Sequence, residues 1–398
     1  MTDKPTVVAV HPGSELFGSD RMFLESVLGL LESGARVVAA LPAQGPLVSH
    51  LRSSGAEVVI IPMLVLRKSL LRPSGWSRLF TSTFRGLGAA WRLIGNLRPT
   101  AVYVSTVTLP EWPLVARLRR TKVISHVHEA EASASRVVNT VLYAPHLAAH
   151  RVVFNSQFSL DTAGRMLPTL ARRGTIVYNG VAGPKTVEPA RERLDGPIRI
   201  LFVGRLSPRK GPDVAIEALR ILERDGIAAE LTLLGSVFPG YEWFEKELRE
   251  KAAVLSAEVR FLGFHADIWP QLAGCDMLVV PSTLDEPFGN TAVEGLLAGR
   301  PVVASDTSGL REAAGGYATA RLVEPGSPKA LAAAIRGISD SWSHVRTVTA
   351  EAAIKANMRH APDVYRSAIA TIVGPAKERI SPTGSRDRDR LHASILSP

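Results

Sequence analysis

Two doubly wound, parallel-sheet α/β domains are what this sequence predicts, and three observations predict them. Short apolar runs alternate with amphipathic helical stretches along most of the chain, the order that builds strand-helix-strand units on a parallel sheet. The 398 residues exceed what one ordinary hydrophobic core organises and suit two domains of about 150 to 200 residues. Between the halves, residues 183–197 carry three prolines and mixed charge and read as a linker.

In order, the run 6–12 predicts a buried strand, followed by a turn at 16–20. Asp20 is then expected to cap a helix over 21–33 whose apolar face is Phe23, Leu24, Val27, Leu28, Leu30 and Leu31, ending at Gly34. Residues 36–41 complete the first strand-helix-strand unit, and further strands are expected at 57–62, 101–107, 122–127, 151–155 and 175–178. The second half repeats the alternation, with strands at 198–204, 230–234, 259–263, 277–281, 301–305 and 321–323. A helix follows at 330–338, then a longer helical region at 350–373 interrupted near Pro362. Both halves thus predict Rossmann-like domains. From residue 377 the chain is polar and broken by proline, which predicts a disordered tail; its Asp387 and Asp389 are not read as a metal-binding pair.

With 46% hydrophobic and 21% charged residues the composition is globular. A single cysteine, Cys275, excludes a disulfide framework and any multi-cysteine zinc site, so a reducing, cytoplasmic setting is expected, with Cys275 a buried structural thiol. The first apolar run is too short for a signal peptide, and no run reaches the roughly 18 to 20 apolar residues that span a bilayer. The expectation is a soluble protein or one peripheral at the inner face of the plasma membrane. The net charge of +10, from 47 basic and 37 acidic residues, favours anionic partners. Nucleic acid is not expected among them, because aromatic residues are only 6% and do not interleave with basic ones as base-stacking surfaces require.

The most informative stretch is 277–303. An apolar run breaks at Pro281, an acidic loop follows, and Gly289, Asn290 and Thr291 open a helix that closes at Gly299 before the next apolar run. The loop therefore sits at the carboxyl end of a strand, where open α/β sheets bind ligands. Unpaired amides at the helix start, carrying the positive end of its dipole, suit a phosphate. Glu286 before that position and Glu294 one turn inside the helix can flank one small polar ligand; Thr291 and Glu294 also fit a capping box. Upstream, Arg205 and Lys210 fall on a loop between a predicted strand and a helix opened by Gly211. They could also form a solvated basic turn, and Arg209 beside them is assigned to that role.

These motifs carry a resemblance. EPFGNTAVE at 286–294 resembles the E-x7-E signature of the retaining, nucleotide-sugar-dependent glycosyltransferases of the GT-B fold, the large family 4. GRLSPRKG at 204–211 resembles that family's G-R-x-x-x-x-K-G turn, and the order of motifs and strands agrees from Val7 to about Val373. The resemblance implies two Rossmann-like domains facing a cleft: an acceptor domain at 1–185, a linker at 186–197, a donor domain at 198–358, a helix at 359–375 crossing back to the first domain, and a tail at 376–398.

It also implies roles. Arg205 and Lys210, after Gly204, would neutralise the diphosphate as the anomeric bond breaks, which two fixed cations and a helix N-terminus can do without a metal. Glu286 would bind hydroxyls of the transferred sugar, Phe288, Gly289, Asn290 and Thr291 would lend backbone amides, and Glu294 would accept from the ribose. The base would lie near Gly235, Gly263 and Phe264. Relatives carry two adjacent glycines in the loop after the first strand; here Gly18 is followed by Ser19. Alternation puts His126 and His128 on one side of their strand, and the resemblance assigns His128 to the acceptor pocket, where an imidazole helps manage a proton. No cofactor and no metal site are expected, the nucleoside-diphosphate sugar being a substrate.

The implied activity is retaining transfer of a sugar to a lipid-linked or glycan acceptor in cell-envelope or polysaccharide assembly. A nucleotide-sugar epimerase or an inverting transferase on the same fold, or a non-catalytic nucleotide-sugar-binding subunit at a membrane, are the alternatives. Between Glu57 and Glu111 there is no acidic residue, while Arg67, Lys68, Arg72, Arg78, Arg85, Arg92 and Arg98 are interleaved with leucines, Trp76, Phe80, Phe84 and Trp91. Residues 64–98 thus have the composition of a helix lying on an anionic membrane, or of one packed on the sheet with a solvated basic rim.

Overall fold

The computed structural model describes residues 4–66, 76–129 and 136–374. The expected tail and residues 67–75 of the basic segment lie outside the described residues. Seven parallel strands form the first sheet: β1 (Thr6–Val10), β2 (Arg36–Leu41), β3 (Glu57–Ile60), β4 (Ala101–Val104), β5 (Lys122–Val127), β6 (Arg151–Phe154) and β7 (Gly174–Ile176), in spatial order β3-β2-β1-β4-β5-β6-β7. Six form the second: β8 (Ile198–Val203), β9 (Ala229–Leu234), β10 (Val259–Gly263), β11 (Met277–Val280), β12 (Val302–Ser305) and β13 (Ala320–Val323), in order β10-β9-β8-β11-β12-β13. Central strands such as VVAV in β1 and MLVV in β11 are buried throughout, as strands covered on both faces must be.

Helices of the first half are α1 (Gly18–Glu32), α2 (Pro46–Ser53), α3 (Trp76–Leu97), α4 (Glu111–Leu118), α5 (Arg136–Tyr143), α6 (Gln157–Met166) and α7 (Pro168–Arg172). Those of the second are α8 (Pro212–Arg224), α9 (Glu242–Ala253), α10 (Trp269–Gly274), α11 (Asn290–Leu297), α12 (Ser308–Ala314), α13 (Pro328–Asp340), α14 (Trp342–Val345), α15 (Thr349–His360) and α16 (Pro362–Val373). Each sheet carries apolar clusters on both faces. Phe23, Val27, Leu47 and Leu51 cover one face of the first sheet, and Ile94, Trp112 and Val115 the other. On the second sheet Leu219, Phe244 and Ile335 oppose Leu272, Val293 and Leu310. The last helix, α16, docks on α1: Tyr365 shares its hydroxyl with Ser26 Oγ (2.7 Å), and Arg366 reaches Glu25 (2.6 Å) and Glu32 (2.7 Å).

In both sheets the strand order reverses direction beside the first strand, between β1 and β4 and between β8 and β11. Such a reversal leaves a crevice at the carboxyl edge because the flanking connections leave on opposite sides. Several strands end before their expected limits, β1 at Val10 and β4 at Val104, because the following residues turn away to build this edge. The first helix starts at Gly18 rather than 21. Asp20 is inside it, not at its cap, and its carboxylate reaches back to accept the Phe17 amide (2.8 Å). Thr291 and Glu294 do not form a capping box: Gly289 is the residue before α11, and it has no side-chain cap.

Candidate active site

A cleft of about 860 Å³ lies where the carboxyl edges of the two sheets meet. Gly204, Arg205 and Lys210, from the loop after β8, line it together with Glu286, Phe288, Gly289, Asn290, Thr291 and Glu294, from the loop after β11 and the start of α11. The two loops are fastened together. Gly211, at φ +69°, lies so close to Pro281 that an added Cβ would stand 2.0 Å from its carbonyl oxygen. Thr283 donates through its amide to Arg209 O (2.9 Å) and through Oγ1 to Pro208 O (3.0 Å).

Glu286 is the centre of the charged wall. Its Oε1 lies 2.8 Å from Lys210 Nζ and 3.2 Å from Arg209 Nη1 and accepts from Ser282 Oγ at 2.8 Å. Burial would raise this carboxyl, but Lys210 and Arg209 outweigh burial and hold it below its ordinary value. Arg209 is therefore part of the ionic cluster and not the bystander expected from sequence. Arg205 is held differently, with its guanidinium carbon 3.2 Å from the centroid of the Phe238 ring. Desolvation and the neighbouring Arg209 bring it down to about 10. At α11 the first turn opens with Ala292 donating to Gly289 O (3.0 Å), so the amides of Asn290 and Thr291 come before the helical ladder. Phe288 turns its ring into the core against Tyr178. Glu294 is raised by burial, opposed by Arg21 and Lys210, and its nearest cation is Arg21 across the cleft at 3.9 Å.

On the first domain's side, Arg21 and Glu25 of α1 line the cleft, and imidazoles gather at the ends of the strands. His128 follows β5, is buried, and places Nε2 3.1 Å from Ser105 Oγ, while its Nδ1 has no partner among the described residues. Burial and His11 push it down to about 3, so the imidazole is neutral at physiological pH. His126 stacks beneath it, ring centroids 3.9 Å apart, as the alternation of β5 predicts. His11, after β1, pairs with Asp20 at 2.7 Å and stacks on Phe23 at 4.7 Å. This His11–Asp20 pair ties the strand end to the first turn of α1 and so sets where Gly18 faces the cleft.

Gly18, His128, Gly235 and Phe264 also line the cleft, so only Gly263 of the expected site residues is away from its lining. Gly263 instead accepts the Gly235 amide through its carbonyl (2.8 Å). Contacts that sequence reasoning did not find join the two walls. Asn179 Nδ2 donates to Asn290 Oδ1 (2.8 Å), and Ser156 Oγ donates to Pro287 O. Glu312 accepts the amides of Gln157 (2.7 Å) and Phe158 (2.8 Å) at the start of α6. Among the described residues, no group of three or more His, Cys, Asp or Glu side chains could hold a metal ion, and no helix is long and apolar enough to cross a membrane. Cys275 is buried, with its thiol pushed up to about 12 by burial.

Comparison with known proteins agrees with this geometry. Residues 185–356 match the family model described as Glycosyl transferases group 1, so this stretch, which includes both charged loops, carries a domain of that kind. The chain is 31% identical over 231 residues to the glycogen synthase of Mycobacterium tuberculosis, covering 57% of this chain and 55% of that protein. It is 31% identical over 194 residues to the amylovoran biosynthesis glycosyltransferase AmsK of Erwinia amylovora, covering 46% of each. The chain thus spans about half the length of these curated relatives. Among solved structures, HepE of Anabaena in complex with UDP-glucose superposes with a TM-score of 0.76 at 21% identity, over 92% of this chain and 99% of that one. The fold is GT-B, with two Rossmann-like domains.

Proposed function

We propose that the protein is a retaining, metal-independent glycosyltransferase that moves a sugar from a nucleoside diphosphate to a lipid-linked or glycan acceptor in cell-envelope or polysaccharide assembly. One observation carries the reading: three cations, two carboxylates and a helix start, drawn from two separate motifs, line a single cleft at the switch points of two sheets. The UDP-glucose in HepE, and relatives named for glycogen synthesis and amylovoran biosynthesis, support a nucleotide-sugar donor and a saccharide product.

In this mechanism the bond from the anomeric carbon to the diphosphate breaks, and the departing negative charge is met by Arg205, Lys210 and the amides of Asn290 and Thr291. The acceptor oxygen bonds to the same carbon from the same face, and its proton passes to the leaving phosphate oxygen. Ionised Glu286 accepts from hydroxyls of the transferred sugar, and Glu294 from those of the ribose. Neutral His128 exchanges a hydrogen bond with the acceptor side and carries no charge of its own. A thermal-shift panel of UDP-, GDP- and dTDP-sugars tests donor binding, since a ligand at a hundred times its dissociation constant stabilises by about 2.7 kcal/mol. NMR of the product should then show the donor's anomeric configuration retained. Inversion would transfer the assignment to an inverting enzyme, and binding with neither transfer nor donor hydrolysis would point to a non-catalytic subunit.

The proposal includes work in the cytoplasm at an anionic membrane surface, met through residues 64–98. Two observations support it. Phe80 and Phe84 of α3 are 61% and 73% exposed, with Trp76 and Trp91 also exposed on that helix. From residue 58 to 128 the sequence has one carboxylate, Glu111, and it is buried, accepting the Leu64 amide (2.8 Å), so the acid does not offset the arginines at the surface. Apolar rings set among uncompensated arginines suit an anionic bilayer. Binding to liposomes containing anionic lipid, released as salt rises, is the expected result; equal partitioning onto neutral liposomes would count against it.

A further inference from the structure

The cations of the cleft are not held alike. Lys210 and Arg209 are both engaged by Glu286. Arg205 has no hydrogen bond or salt bridge to any described residue; what holds it is aromatic. Phe238, in the loop after β9, sits against its guanidinium with 3.2 Å between ring centroid and Cζ, and Phe17, immediately before α1, stands at 5.8 Å. The two rings meet edge to face, centroids 6.0 Å apart at 89°, although one belongs to the first domain and the other to the second. Both rings are partly exposed at the cleft, where apolar side chains with no partner of their own would be a liability.

We infer that Phe238 and Phe17 form an interdomain aromatic clamp that orients Arg205 toward the diphosphate of the donor, an inference that rests on the donor reading above. A guanidinium donates hydrogen bonds from its edge, while an aromatic ring attracts it through its face. Stacking on Phe238 therefore fixes the Arg205 side chain without using any of the five N–H groups that bind phosphate oxygens, which a carboxylate partner would occupy. Phe17 can complete the clamp only when the two domains are closed, so Arg205 reaches its final orientation and its drier surroundings at closure. Phe238 and Phe17 are positioning residues, acting through Arg205.

The test is a double-mutant cycle read in UDP affinity by calorimetry, together with the Arg205 Nε–Hε resonance in labelled, ligand-free protein. Phe238→Leu should weaken UDP about threefold to thirtyfold, the span of a cation–π contact, and move the Arg205 Hε resonance as the ring current is lost. Phe238→Tyr, which keeps the aromatic face, should retain both the affinity and the resonance position. Phe17→Leu should produce a smaller loss. In an Arg205→Gln background the Phe238→Leu effect should vanish, because its route has been removed. An undiminished Phe238→Leu effect in that background would mean that the ring touches the nucleotide directly and would overturn the clamp. So would an Arg205 resonance that ignores Phe238→Leu. If UDP binds and the ring-current signature is present but no transfer occurs, the clamp stands and the enzymatic reading falls.

Discussion

On the second sheet's side of the cleft the side chains are paired by charge, with Lys210 and Arg209 on Glu286; behind the first sheet's side they are packed rings and a hydroxyl, with His128 against His126 and Ser105. Both walls stand at carboxyl edges of parallel sheets at a reversal of strand order, so the fold alone does not explain the difference. The strand-following loops do. Those of the second domain bring basic side chains onto a nearly buried carboxylate and hold it below its ordinary value. Those of the first bury His128, and desolvation, with His11 nearby, leaves its imidazole neutral. Under the proposed reaction the paired charges suit a departing diphosphate and the neutral imidazole an incoming hydroxyl.

The largest expected effect lies on the charged side. Lys210→Ala or Arg205→Ala should lower turnover by about 10²- to 10³-fold, the scale for losing one preorganised charge-stabilising donor. Steady-state rates near wild type for both would remove the leaving-group role.

A second effect comes from the buried imidazoles and reads in stability. His128 at about 3, and His146 and His360 at about 4, lie below the ordinary value of 6.5 because burial penalises their charged forms. Their contribution is complete above about pH 6.5 and is lost as pH falls toward the folded values, each adding up to about 1.4 kcal/mol per pH unit of slope. Glu111, raised by burial to about 7, has the opposite sign: its contribution is full below about 4.5 and is lost as pH rises through 7. Unfolding midpoints followed by circular dichroism should therefore fall from pH 6.5 to 4.5, and fall more steeply in Glu111→Gln. A midpoint that rises over this window would contradict the neutral assignment.

His128→Ala sharpens the contrast further, with an expected loss in turnover of roughly fivefold, near one neutral hydrogen bond of about 1 kcal/mol, and little change in donor affinity. A loss as large as that of Lys210→Ala would make the two walls equal partners in the chemistry. The smallest expected effect lies away from both. Tyr365→Phe removes the hydroxyl shared with Ser26 and should cost about 1 kcal/mol in denaturant unfolding without altering rates.

Much of this was legible in the sequence because it is written locally. The strand at 36–41 and the one at 122–127 match β2 and β5 end for end, since a buried parallel strand needs a continuous apolar run bounded by turns. Arg205, Lys210, Glu286 and Glu294 stand out because two short motifs resemble those of a known family, and all four line one cleft. Arg209 was misread because its own neighbourhood is that of an ordinary basic turn; its partner is 77 positions later, at Glu286. Asp20 reads locally as a helix cap because Asp is a good one, and nothing local says that His11 will fold back onto it.

The α/β architecture and the order of the strands along the chain are written in the sequence alone, because the periodicity that marks them acts within a few residues. The pairing of Arg209 with Glu286, the neutral state of His128, the Glu312 bridge to α6 and the meeting of Phe17 with Phe238 around Arg205 emerge only in three dimensions. Each depends on burial or on the approach of segments far apart in the chain, and the strength of a charge or a ring contact is set by that distance and by the water it excludes.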